Sequence, residues 1–225
     1  MNKIIDDKVY NSQYYRAFLL VFLAGLLWSF GAVVVRYMID ANQYQPQYLF
    51  YRGITIATIL CTFLFYKEGF AFYKNFKNVG ISGIIGGLCL ATAFTGFIFS
   101  ITMTTAAVTL FMLASMPFIA ALVGVVILKE KIRKITLFSM FIALIGVIIM
   151  VINDSLNGSA LGAIVGFCSA LGFALYTVTI RWRPETPKFT TVVFAGIFCA
   201  IFSLLIIIFS NKTFIMPSIN VYLSM

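Results

Sequence analysis

Histidine is absent from the 225 residues, and Asp and Glu together number only seven. The first absence removes the commonest general base and the commonest metal ligand. It also excludes a serine intramembrane protease of the kind that relies on a histidine base. None of the seven carboxylates (Asp6, Asp7, Asp40, Glu68, Glu130, Asp154 and Glu185) falls inside a long apolar run. That excludes an aspartyl membrane protease, which needs two buried aspartates, and argues against a proton cycle run on an intramembrane carboxylate. The four cysteines, Cys61, Cys89, Cys168 and Cys199, all lie in apolar runs and show no CxxC or metal spacing. They read as small hydrophobes of packed helices. No glycine-rich phosphate loop follows a strand. Catalytic residues, metal ligands and cofactors are therefore not expected, and the chain is not read as an enzyme.

Charge is scarce too, at 10% of residues against about 25% in an ordinary soluble domain. Apolar residues make up 62% of the chain, and the mean hydropathy is +1.03. A soluble globule of this length cannot hide so many apolar side chains. The composition excludes a water-soluble enzyme, a nucleic-acid-binding domain and a disordered chain, and makes lipid the main solvent.

A helix needs about 20 apolar residues to cross a hydrocarbon core about 30 Å thick. Seven stretches qualify: Ala17–Ile39, Tyr48–Tyr66, Val79–Ile101, Thr105–Leu128, Ile135–Ile152, Leu161–Ile180 and Thr190–Phe209. Unbroken apolar runs of this length exclude the short alternating strands of a membrane barrel. The expected class is an all-α, polytopic helical membrane protein. The first run follows Tyr14-Tyr15-Arg16 and is too long for a signal-peptide core, so it reads as a retained helix. With the N-terminus in the cytoplasm, 13 of the 16 Lys and Arg residues face inward and three face outward. That asymmetry follows the positive-inside rule and predicts a multi-pass protein of the plasma membrane, the inner membrane in a bacterium. It argues against a seven-helix receptor or retinal protein, as does the absence of any lysine within a span. After Phe209 a polar stretch leads into Ile219–Met225, which reads as another helix beginning without a cap. A truncated reading frame is favoured over an outer-surface tail.

Sliding the sequence against itself by 145 residues lays Trp28-Ser29-Phe30-Gly31-Ala32-Val33-Val34-Val35-Arg36 over Phe173-Ala174-Leu175-Tyr176-Thr177-Val178-Thr179-Ile180-Arg181. The second span then falls over the seventh. An odd number of spans between the copies inverts the second one in the membrane, an arrangement in which a substrate site lies between the copies near the midplane. Residues 1–152 form the first five-helix copy, and 153–225 the incomplete start of a second.

Several segments carry a resemblance. They are Gly25-Leu26-Leu27-Trp28-Ser29-Phe30-Gly31 with Arg36, Tyr48-Leu49-Phe50-Tyr51-Arg52, and the small-residue turn Thr104-Thr105-Ala106-Ala107. Leu113-Ala114-Ser115-Met116-Pro117, Leu128-Lys129-Glu130-Lys131 and Ala174-Leu175-Tyr176-Thr177 complete the set. In their order and spacing they resemble the EamA-like branch of the drug/metabolite transporter superfamily. The resemblance implies ten helices in two inverted five-helix copies and small-metabolite movement across the membrane. This chain departs from it by stopping after the seventh, so a partial carrier would have to dimerise or serve another role.

Six residues are expected to line a substrate cavity. Arg52 sits about four residues into the second span, roughly 6 Å from its outer end. There it either snorkels or binds a carboxylate or phosphate in a wet pocket. Arg36, at the end of the first span, reads as a snorkelling residue. Trp28 and Ser29 lie mid-span, where an indole N–H needs a partner and the ring can stack on a planar or cationic ligand or pack against a helix. Tyr176 occupies the matching half-turn of the sixth span. Thr92 offers a hydroxyl, with Thr95 and Ser100 as further candidates. Pro117 is placed mid-span in the fourth helix, where it would free a carbonyl near Leu113 or merely kink the helix. Two stripes of small residues, Gly83-Gly87-Ala91-Thr95 and Gly162-Gly166-Ala170-Ala174, allow close helix approach and read as packing faces, or as surfaces that slide during transport. Glu130 reads as a cap partner for Lys131 and Lys134 or for a neighbouring basic loop.

The leading expectation is a carrier that moves a small polar or amphipathic metabolite by alternating access. The alternative is a non-transporting membrane subunit that scaffolds or regulates a partner. The expected partners are the lipid bilayer and a small-molecule substrate, with a homodimer as one way to complete a partial carrier and no role for nucleic acid.

Overall fold

The computed structural model describes residues 2–37, 41–132, 134–142, 145 and 159–210. All regular structure among the described residues is helical. In lipid only a helix satisfies every backbone group within one segment, so long apolar runs have no other outlet. The order is α1 (Asn2–Tyr37), α2 (Ala41–Glu68), a 3-10 turn (Gly69–Ala71), α3 (Phe72–Asn78) and α4 (Gly80–Met103). Then follow α5 (Ala106–Ala114), α6 (Met116–Leu128), α7 over 134–142, α8 (Ala160–Trp182) and α9 (Lys188–Phe209). Six membrane-spanning candidates lie among the described residues. Half of the fifth predicted span, Ile135–Ile152, lies outside them, as do the side chain of Arg36 and the tail beyond Ser210.

Short polar signals set the breaks. Gly80, at φ +58°, takes the left-handed conformation that separates α3 from α4. Thr104 is extended, and the Thr105 side chain then accepts from the Val108 amide at 3.2 Å to cap α5. Ser159 caps α8 by accepting from Gly162 N at 3.4 Å. Lys129, at φ 53°, ends α6.

The expected single helix Thr105–Leu128 is instead two helices meeting at Ser115. Pro117 has no N–H to give the Leu113 carbonyl, so the ladder stops. The chain restarts with proline in the first turn of α6, where a donor would have no partner anyway. The second span also begins earlier than expected, at Ala41 rather than Tyr48. Gln45 and Gln47 in this added stretch are buried, and the Gln45 amide donates to the Thr102 hydroxyl on α4.

The core is α4, wrapped by α8, α9 and α2. Along α8 the backbone presses antiparallel on α4. A Cβ at Gly172 would stand 2.7 Å from the Cys89 carbonyl oxygen, one at Gly96 3.0 Å from the Ser169 Cβ, and one at Gly162 2.8 Å from the Thr104 Cβ. Ser169 Oγ donates to the Ala93 carbonyl at 2.7 Å, and Ser100 and Thr109 hydroxyls pair at 2.9 Å. Hydrophobic burial does not drive helices together in lipid, so close contact and buried hydroxyl bonds do. The two small-residue stripes serve this packing. Gly83 and Gly87 abut α9, whereas Gly162 and Gly166 abut α4 and α5.

The α2–α9 crossing is reciprocal. A Cβ at Gly53 would lie 2.6 Å from the Gly196 carbonyl oxygen, and one at Gly196 would lie 2.7 Å from the Gly53 carbonyl oxygen. Ala57 and Ala200 flank this point in the same exchanged manner, and contacts of Leu49 with Cys199 and of Phe63 with Phe189 on either side show that the two helices run antiparallel.

Candidate functional site

Between these helices lies a cavity of about 540 Å³. Trp28 of α1 forms one wall, Leu90 and Phe94 of α4 the next, and Leu113 of α5 and Met116 of α6 another. Phe173, Tyr176 and Thr177 of α8, with Val192 of α9, complete it. The break at Ser115 turns α5 into α6 at this point, so Leu113 and Met116 both reach the wall. Three rings form its most ordered part. Trp28 lies 5.6 Å from Phe173 and 6.3 Å from Phe94, and Phe94 lies 5.9 Å from Phe173 in an edge-on arrangement. Offset and tilted ring pairs at these separations attract beyond simple area burial.

Arg52 abuts this cluster. Its guanidinium lies over the Phe94 ring, with Cζ 4.7 Å from the centroid. It stands three turns beyond Ala41, about 16 Å along the helix axis, so it is deeper in its helix than the sequence suggests. Among the described residues no carboxylate pairs with it. Tyr176 is half-buried on the cavity wall, and no described residue hydrogen-bonds its hydroxyl. The Thr177 hydroxyl is returned to its own helix, donating to the Phe173 carbonyl at 2.9 Å.

Of the six residues expected at a cavity, Trp28 and Tyr176 line it and Arg52 joins through Phe94. The other three lie elsewhere. Ser29 is exposed and donates to the Gly25 carbonyl at 3.1 Å. Thr92 is exposed and donates to the Cys89 carbonyl at 2.7 Å. It faces a separate apolar groove with Thr95, Phe202, Leu205 and Ile206. Pro117 is exposed at the start of α6, off the cavity wall. Sequence reasoning missed Phe94 and Phe173, because phenylalanine in a span reads as lipid-facing bulk. One signal did exist, since the 145-residue offset lays Trp28 over Phe173, and these two rings meet.

Glu130 pairs with Arg181, not with Lys131 or Lys134. The αL turn at Lys129 folds Glu130 back over Gly124, and its Oε2 lies 3.2 Å from where a Gly124 Cβ would stand. This ties the C-terminal ends of α6 and α8 together. A second cavity, of about 600 Å³, opens between the α3–α4 junction and the α8–α9 loop, with Asn78, Ser82, Arg183, Glu185 and Thr186 in its lining. Among the described residues no three His, Cys, Asp or Glu side chains cluster as a metal site.

The family profile described as the EamA-like transporter family matches residues 15–152, more than half of the chain. Two proteins of Helicobacter pylori, each named only "Uncharacterized transporter", are similar to it. The one from strain J99 is 27% identical over 166 residues, covering 72% of this chain and 54% of its own. The one from strain 26695 is 26% identical with the same coverage. The chain thus spans about half the length of the curated relatives it matches. No solved structure matches.

Proposed function

This chain belongs to the EamA-like transporter family, and on that footing we propose that it moves a small metabolite across a plasma membrane by alternating access, with the Trp28–Phe94–Phe173 cavity as its binding chamber. The observation that carries the reading is the meeting of Trp28 with Phe173 on that wall at 5.6 Å. Under an inverted repeat, equivalent residues touch only beside the axis that relates the copies, and carriers of this design bind cargo there. The reciprocal Gly53–Gly196 contact supports the same axis. Its offset of 143 differs by two residues from the first pair's, as a small change in loop length would produce.

In this reading residues 1–152 are one copy and 153–225 belong to its inverted partner. The N-terminus lies in the cytoplasm, which puts Lys67, Lys74, Lys77, Arg181 and Arg183 inside. The Glu130–Arg181 pair then closes the inner ends of α6 and α8. Small-residue contact between α4 and α8 permits rocking, because glycine backbones slide without bulky side chains to interlock. The shared apolar wall excludes water from the bound cargo.

Reconstitution tests this. Liposomes holding the protein should accumulate at least one member of a metabolite panel saturably. Phe94→Ala and Trp28→Ala should each cut that uptake at least tenfold, whereas Trp182→Phe, outside the cavity, should not. Unchanged uptake in both cavity variants would refute the chamber. A chain that moves no panel compound and copurifies with a fixed partner would instead favour a scaffolding subunit.

A further inference from the structure

From the lining of this chamber and the arginine that abuts it we infer that its cargo is an aryl monocarboxylate, a small acid whose flat ring enters the aromatic walls while its carboxylate reaches past Phe94 to Arg52. The inference rests on the reading of the cavity as a binding chamber and adds the class of ligand. Three observations support it together.

The first is the wall itself. Trp28, Phe94 and Phe173 line one side of the space with ring separations of 5.6–6.3 Å, and Leu90, Met116 and Val192 add aliphatic surface. Among the described residues of the lining, apart from Thr177, whose hydroxyl already has a partner, the only polar group beyond the indole N–H is the Tyr176 hydroxyl. Such a wall takes a planar apolar body and offers little to a sugar, whose many hydroxyls would be desolvated without partners.

The second is Arg52. Its Cζ lies 4.7 Å from the Phe94 centroid, a cation–π contact that supplies no hydrogen-bonding oxygen. No described side chain or carbonyl accepts from its N–H donors. Five donors within a membrane span, without an acceptor among the described residues, form an expensive arrangement that a carboxylate satisfies in bidentate fashion. Phe94 belongs to both the ring cluster and the arginine stack, so acid and aryl sites are neighbours across one side chain.

The third concerns what an amine would meet. The carboxylates among the described side chains, Glu68, Glu130 and Glu185, stand at the C-terminal end of α2, just past the end of α6 and in the α8–α9 loop, none on the cavity wall. A cationic or zwitterionic ligand would bring an ammonium to a wall that holds no counter-ion among its described residues, and beside the fixed positive charge of Arg52. The charge pattern thus favours the plain acid over the amine and the amino acid.

The test uses the two tryptophans of the chain, Trp28 and Trp182. Replacing Trp182 by Phe leaves Trp28 as the sole indole, a reporter in the cavity wall. The purified W182F protein in nanodiscs is titrated with 3-phenylpropionate, phenylalanine, phenethylamine, 3-phenylpropanol and hexanoate while Trp28 emission is followed. The expected result is a saturable change with 3-phenylpropionate, and at least tenfold weaker responses to the other four. Adding Arg52→Gln should weaken the acid by about tenfold to a hundredfold, the range of a charge-assisted pair, and leave phenylpropanol unchanged. The ligand series in W182F alone keeps the test valid if the double variant fails to fold. Tighter binding of the amine, the amino acid or the alcohol would overturn the assignment of the acid while leaving the chamber intact. Hexanoate equal to phenylpropionate would overturn the aryl part. No response to any aromatic probe would overturn the inference. Continued Phe94-dependent uptake of another metabolite would then spare the chamber reading, and its absence would remove both.

Discussion

Arg52 and Glu130 show how much a single charged side chain depends on its neighbours. Both stand out in a sequence with so few charges, and both have partners drawn from distant segments. Arg52 meets Phe94 from α4, and Glu130 meets Arg181 from α8. The Glu130–Arg181 pair is more than a third exposed on each side, so its net contribution to stability is small, about 0–1 kcal/mol. We expect Glu130→Gln and Arg181→Gln each to lower the melting temperature by no more than a few degrees, with a double variant no worse than either. A drop in stability of several kcal/mol for either one, in a thermal or denaturant melt, would show that the pair supports the fold as well as closing the helix ends. That Glu130 and Arg181 are charges at helix ends was legible from position alone, whereas Arg52 lies three turns inside α2. Their partners were not, because an ion pair between residues 51 positions apart leaves no periodic trace.

Helices were legible wherever apolar length sufficed, but their ends and breaks were less so. Ser159 and Thr105 act as side-chain caps. Replacing Ser159 by Ala should cost about 1 kcal/mol, measured by chemical denaturation in detergent, and Ser159→Asp should restore most of it. Thr105–Leu128 shows where reading by length fails. Its hydrophobicity is continuous, but Pro117 breaks the hydrogen-bond ladder and Ser115 marks the joint.

Glycines divide by what surrounds them. Gly31 has nothing within 4 Å of a would-be Cβ, while Gly53 and Gly172 have backbone atoms at 2.6 and 2.7 Å. Gly31→Ala should therefore be neutral, or stabilising by up to about 1 kcal/mol through helix propensity. Gly53→Ala and Gly172→Ala should destabilise by about 1–3 kcal/mol, because the opposing atoms are backbone and cannot turn aside. Similar melts for all three would refute the close crossings. Periodic small residues announced the packing faces, but the helix that each stripe meets was not readable from the stripe.

For the molecule as a whole, the charge distribution makes a claim about orientation. In a cysteine-free background, cysteines introduced at Lys74, Lys131 and Arg183 should resist a membrane-impermeant thiol reagent in intact cells and react in inverted vesicles. One introduced at Gln43 should show the opposite pattern. Labelling of the first group from outside intact cells would invert the topology and move Arg52 to the inner half.

Membership of the helical, lipid-embedded class follows from composition alone, since no soluble packing can dispose of 62% apolar residues. The approximate places of the apolar runs, and the clustering of cations in alternate connections between them, follow as well, because both are properties of the chain read in order. The chamber is different. Its walls come from α1, α4, α5, α6, α8 and α9, and its rings become neighbours only through crossings made close by Gly96, Gly162 and Gly172. A phenylalanine facing lipid and one facing a cavity are the same letter in the same apolar run. Only the approach of a second helix distinguishes them, which is why Phe94 and Phe173 emerged with the folded arrangement and Trp28 did not have to wait for it.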